Sequence, residues 1–352
     1  MNTVINVFIA LLVFGLIIAF HEFGHFLFAK LNGIAVNEFA VGMGPTLCSF
    51  QKKETKYSLK LIPMGGYCMM LGEEEDVEDE HSFSKKSVWA RLSVVLAGPV
   101  FNFILAFILS IFLIAYAGFD IPKVTGFSEN SPAQEAGVQE GDVITAYNGK
   151  KIYKFQEIMV YNQFNRTGSD ITLTLDRDGE EVSCTFTPMK TASGYLMGVY
   201  GGAREKTGVF GTLLNAAREI RYQIKTTFLS LEYLISGKLG VENLSGPVGI
   251  VSMMSDTIDE AKESAQGDTS VAIINVLLNM VNFSILLSAN LGVMNLLPIP
   301  ALDGGRTVFL LFELIFRKKL PTEKEAFVNM IGFALLIGLM VIVMFQDVMK
   351  LL

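Results

Sequence analysis

The chain is short of the residues that build disulfide frameworks, thiolate metal clusters or nucleic-acid-binding faces. Its three cysteines, Cys48, Cys68 and Cys184, have spacings that fit neither paired cystines nor a thiolate zinc site, so they read as small apolar residues. Lys and Arg number 28 against 35 Asp and Glu, a net charge of -7. A nucleic-acid partner wants a basic face, so none is expected. Histidine is also scarce, with three in 352 residues, and each position carries weight. No Lys or Arg precedes Lys30, and no small-residue cleavage site follows the first apolar run. That run is expected to persist as a helix rather than to be removed as a signal.

Apolar sequence is abundant, at 51% of the chain. Four stretches, 4–29, 92–119, 271–297 and 328–349, reach the roughly 20 residues that a bilayer requires. The expected fold class is a polytopic α-helical membrane protein with four transmembrane helices. The first connection holds Lys30, Lys52, Lys53, Lys56, Lys60, Lys85, Lys86 and Arg91, and the last holds Arg317, Lys318, Lys319 and Lys324. Basic loops stay in the cytoplasm, so both chain ends and the segment 120–270 are expected outside it, in a multi-pass topology.

Four regions follow: an N-terminal membrane part at 1–119, an external domain at 120–190, an amphipathic helix and linker at 191–270, and a C-terminal membrane part at 271–352. Within the first, 33–71 is too apolar and glycine-rich for an ordinary loop. Tyr57, Leu59 and Leu61 alternate with Ser58 and Lys60, and Pro63 to Gly66 supply a turn. The pattern predicts a membrane-associated β-hairpin or small sheet. The run 73–80 reads as a solvated acidic loop. Residues 208–238 carry apolar side chains at helical spacing, predicting an amphipathic helix on the outer membrane surface or one packed on the soluble part. Residues 255–270 read as a polar linker.

The first apolar run ends in His21-Glu22-Phe23-Gly24-His25. On a helix, positions four apart lie about 40° apart around the axis and roughly 6 Å along it, so both imidazoles reach one metal ion. Glu22 falls beside that ion as a candidate general base. Ionisable residues at membrane depth are costly and mark function. A catalytic zinc site commonly takes three protein ligands. The remaining histidine, His81, lies in a polar acidic loop, so a carboxylate is the better third ligand. Asp303 follows Asn295-Leu296-Leu297-Pro298-Ile299-Pro300-Ala301-Leu302 at the cytoplasmic end of the third span, the depth expected for His21 and His25. Pro298 and Pro300 break the helix and Gly304 and Gly305 loosen the backbone, allowing the carboxylate to turn inward. One Zn²⁺ is therefore expected on His21, His25 and Asp303. Asn290, Asn295 and the strand containing Tyr57, Leu59 and Leu61 are candidate contacts for an unwound substrate backbone.

Ser131-Pro132-Ala133, Ala136-Gly137, Gly141-Asp142-Val143-Ile144 and Asn148-Gly149 resemble the circularly permuted bacterial PDZ domain. That resemblance covers about 65 residues, 124–188, and implies peptide docking by strand addition. The histidine motif, Gly98-Pro99-Val100-Phe101-Asn102, the 295–304 motif and one inserted PDZ domain together resemble the bacterial RseP-type group of the site-2 protease family. Gly42 to Pro45, Pro63 to Tyr67 and Leu244-Ser245-Gly246-Pro247 also match segments of that family. The resemblance implies zinc-dependent cleavage of single-span membrane proteins within the bilayer, of the anti-sigma-factor type or as remnant signal peptides. Some members carry two PDZ domains where one is evident here. The competing reading is a membrane-tethered PDZ scaffold or chaperone with a structural metal site. A metal-ion transporter ranks lower, because the second and fourth spans are almost wholly apolar apart from Asn102 and Asn329. Substrate identity, the need for a prior external cut, the PDZ ligand, the resting conformation and the oligomeric state are not legible in the residues.

Overall fold

The computed structural model describes residues 2–351 apart from 74, 76, 166, 192–193, 239, 241–243 and 320. Two members of the acidic run 73–80 therefore lie outside the described residues. The chain runs through α1 (Asn2–Leu31), β1 (Val36–Lys52), β2 (Thr55–Met70), a 3₁₀ turn (Phe83–Lys85) and α2 (Val88–Ala117). It continues through β3 (Phe119–Phe127), α3 (Pro132–Glu135), β4 (Val143–Tyr147), β5 (Lys150–Lys151), α4 (Phe155–Phe164), β6 (Ile171–Arg177), β7 (Glu180–Phe186), β8 (Met189–Thr191), β9 (Gly194–Leu196) and β10 (Val199–Glu205). It ends with α5 (Val209–Ile235), α6 (Pro247–Glu263), α7 (Thr269–Leu296), α8 (Asp303–Phe316) and α9 (Thr322–Leu351). Two compact units result, Met1–Leu109 with Ser230–Leu352, and Ser110–Leu229.

In the first unit, α1, α2, α7 and α9 are long and apolar enough to cross a membrane, as expected from the four runs. α2 ends at Ala117, two residues short of the expected limit, because Gly118 takes a left-handed φ of 81°. β1 and β2 form a long antiparallel pair that folds back on itself. Residues 38–41 pair with 66–69 on one side and with 56–59 on the other, while 48–51 pair with 56–59. The fold-back occurs at Gly42, where φ is 87° and a Cβ would lie 2.7 Å from the Ile62 carbonyl oxygen. One core joins this sheet to the helices: Ala29, Ile34, Val36, Cys68, Val94, Val95 and Leu310 are buried together.

The expected linker at 255–270 is largely helix. α6 buries Met254 and Ile258 with Ala10 of α1 and Met280 of α7. Its acidic residues hide that apolar stripe from a reading by composition. Asn6 of α1 is fully buried and donates to Ser255 Oγ and Asp259 Oδ1, both at 3.1 Å, which fixes α6 against α1.

The second unit is built on a sheet ordered β10-β3-β4-β6-β7, with β5 on β4. Ile144, Ile158, Ile171, Leu173 and Leu175 are its fully buried centre. The expected boundary at 190 falls short, since β10 pairs with β3 across more than 70 residues. Glycines at 198, 201 and 202 give that closing strand the look of a loop. α5 turns a polar face inward: Thr212, Asn215, Glu219 and Gln223 are buried, and Lys154, which precedes α4, reaches Glu219 at 2.6 Å. Leu214 and Phe228 stay exposed.

Candidate metal centre

α1 presents His21 and His25 one turn apart, both buried, with their Nε2 atoms 3.2 Å apart. Asp303 opens α8 and brings Oδ2 to 3.3 Å from His21 Nε2 and 3.5 Å from His25 Nε2. Donors arranged tetrahedrally around an ion at about 2.0–2.1 Å stand roughly 3.3 Å from one another. All three edges of this triangle match that spacing. Asp303 Oδ2 is also buried without a hydrogen-bond donor among the described residues, an expense that a bound cation removes. The donor set, two imidazoles and a carboxylate, therefore fits zinc.

The rings are aimed by α2. His25 Nδ1 lies 2.9 Å from the Val94 carbonyl oxygen, which only accepts, so Nδ1 carries the proton and Nε2 turns its lone pair to the centre. His21 Nδ1 faces the Asn102 amide, 3.0 Å from Nδ2, while Asn102 Oδ1 is buried and unpartnered. Exchanging the amide's oxygen and nitrogen satisfies both groups, with Oδ1 accepting from His21 Nδ1–H. The Ser288 hydroxyl donates to the Asn102 carbonyl at 2.8 Å and ties this point to α7.

Close helix approach makes these contacts possible. A Cβ on Gly98 would lie 2.2 Å from His25 Nε2, and one on Gly24 would lie 2.5 Å from the Ala97 carbonyl oxygen. The Phe101 ring then packs on Phe20 and Phe23 of α1 at centroid distances of 5.6 and 5.9 Å. Between α7 and α8 the chain reverses through Pro298 and Pro300, and Ala301 adopts a φ of 74°. Asn329 of α9 accepts the Ala301 N–H at 3.2 Å. Gly304 and Gly305 let this reversal pass within contact of Leu296, Leu297 and Ile299. From the other side, Arg91 of α2 grips Glu313 of α8 at 2.5 Å.

A cavity of about 800 Å³ opens onto the three donors. Glu22 and Asn295 line it, and Asn295 Nδ2 is 3.4 Å from His21 Nε2. Asn290 does not line it, and neither do Tyr57, Leu59 and Leu61. The expected strand contact is displaced along the chain, because 56–59 sit inside the folded-back sheet, whose edges are 66–70 and 48–51. Tyr67, Cys68, Met69, Met70 and Leu71 line the cavity instead. In the sequence Asn102 closes the 98–102 motif and is a polar residue in an apolar span, whereas Asn329 stands out by its polarity alone.

Peptidase family M50 matches residues 9–339. The chain belongs to this family. A Clostridium acetobutylicum protein whose name describes a zinc metalloprotease is 40% identical over 345 residues, covering 97% of both chains. Zinc metalloprotease RasP of Bacillus licheniformis is 31% identical across the whole of both chains, and regulator of sigma-W protease RasP of Bacillus subtilis is 30% identical across 99% of both. Among solved structures, the PDZ domain of an SdrC-like protein from Listeria innocua is 20% identical, covers 25% of this chain and all of its own, and has a TM-score of 0.22. The M50 chain is thus a zinc metalloendopeptidase of the membrane, with the site-2 protease character expected from its motifs.

Proposed function

We propose that this M50 protein hydrolyses peptide bonds within the transmembrane segments of single-span membrane proteins. His21, His25 and Asp303 hold the zinc ion, and Glu22 is the general base. The carrying observation is the triangle of donor atoms at tetrahedral spacing beside a cavity that Glu22 lines. When bound, zinc supplies a water acidified toward a pKa of about 7 and a Lewis acid for the scissile carbonyl. Glu22 lines the cavity as the carboxylate that would accept a proton from an attacking water and pass it to the leaving nitrogen. Asn295 donates its amide N–H to the unwound substrate, whose freed backbone also needs partners at membrane depth.

Strand 66–70 meets that need by accepting the substrate as an added strand, which is supported by its one-sided pairing and its position on the cavity. The Lys and Arg bias supports a metal site in the cytoplasmic half of the bilayer, with the second unit outside the cytoplasm. That unit is a PDZ domain that screens substrates, a reading supported by its Ser131 to Ala133 and Gly141 to Ile144 motifs. The sigma-W name of the Bacillus subtilis relative supports anti-sigma-factor-type substrates. Glu22→Gln is expected to keep zinc and lose cleavage of a single-span reporter. Retained cleavage overturns the protease reading, and loss of function on removing only the second unit then favours the scaffold.

A further inference from the structure

Glu73 follows the strand that lines the cavity, and its carboxylate touches two parts of the site. Oε2 accepts the Met70 N–H at 3.4 Å, and Oε1 pairs with Arg306, one turn beyond Asp303 on α8. Both side chains line the metal cavity and a second cavity of about 570 Å³ that reaches Glu325 and Asn329 of α9. The ion pair stands where the two cavities meet.

The direction of the Met70 amide gives this pair its significance. Leu71 N–H turns toward the start of β1, donating to the Ala35 carbonyl at 2.9 Å. Amides alternate along a paired strand, so the N–H of Met70 turns to the other side, where β2 has no partner strand among the described residues. An extended segment adding to 66–70 must use that amide, and Glu73 already occupies it.

We propose that Glu73 is a built-in substitute for substrate. Its carboxylate fills the place that a carbonyl of the incoming segment takes at Met70, and Arg306 fixes it there. The inference rests on the strand-addition reading of the site. Substrate then gains the difference between two acceptors at Met70 rather than a whole hydrogen bond, so Glu73 raises the concentration needed to fill the site without touching the reacting atoms. When displaced, the carboxylate remains tied to Arg306 and turns toward the second cavity.

The test uses full-length zinc-loaded protein and a single-span peptide substrate, with KM, kcat and zinc content measured together. Glu73→Ala is expected to lower KM by about 2- to 10-fold, the range of one hydrogen bond, with a smaller change in kcat. Glu73→Gln, which keeps an acceptor but loses the charge that Arg306 holds, is expected to fall between Glu73→Ala and the unaltered protein. If Glu73→Ala loses zinc, Glu73→Gln decides. An unchanged or raised KM with zinc retained overturns the proposal and leaves the protease reading intact. Equal activity in the unaltered protein and Glu22→Gln overturns the protease reading instead.

Discussion

Asn102 shows how much of the metal centre depends on groups that never touch the ion. It holds the Nδ1 side of His21 while its own backbone is tied to Ser288. Asn102→Ala frees the ring to rotate, and zinc affinity is expected to fall about 10- to 100-fold in a competition with a chelating dye. Equal affinity would show that His21 is oriented by packing alone. Gly98→Ala acts by another route. Its Cβ would occupy the space of His25 Nε2, so zinc content is expected to collapse while α2 stays helical.

Elements bring these residues together, and they differ in how openly the sequence announces them. The four apolar runs and the 21–25 motif are local patterns, and they were legible. The turn that delivers Asp303 was legible too, because two prolines and two glycines leave few other conformations. The doubling of β1 and β2 was not legible, because 38–41 choose two partners and no local spacing encodes the choice. For that reason alternation alone points to Tyr57, Leu59 and Leu61, whereas the edge on the cavity is 66–70. α6 was not legible by composition, because its buried residues Met254, Ile258 and Ala261 are interleaved with polar and acidic ones.

Two predictions belong at this scale. Asn6→Leu deletes a buried partner of Ser255 and Asp259, leaves α6 without its polar tie, and is expected to lower thermal stability by about 1–3 kcal/mol. An unshifted melting temperature would mean that the apolar contacts alone hold α6. In the second unit, hydrogen bonds from Arg177 at 2.7 and 2.8 Å, helped by the Gln139 N–H, hold the Asp142 carboxyl below its ordinary value. A lowered carboxyl stabilises the fold above the unfolded value of about 4, and that stability drains away as pH falls through the folded value. Protection factors for amide exchange in β4 and β6 are therefore expected to fall below about pH 4, and Asp142→Asn to lower them already at pH 7. Protection in Asp142→Asn matching the unaltered protein at both values would contradict this.

The whole molecule joins a metal centre drawn from α1 and α8, a strand edge beside it and a separate sheet-rich unit in one membrane chain. A metalloendopeptidase needs the first, and cleavage of an unwound membrane helix needs the second. His21, His25 and Asp303 are the proposed zinc ligands on which both depend. Cys68 lines the same cavity, so a sulfur ligand is the concrete rival. X-ray absorption at the zinc edge of the purified full-length protein distinguishes them. Only nitrogen and oxygen neighbours at about 2.0–2.2 Å are expected in the unaltered protein, and loss of zinc in Asp303→Ala, if these three residues are the ligands. A sulfur neighbour at about 2.3 Å, or a full complement of zinc in Asp303→Ala, would contradict it.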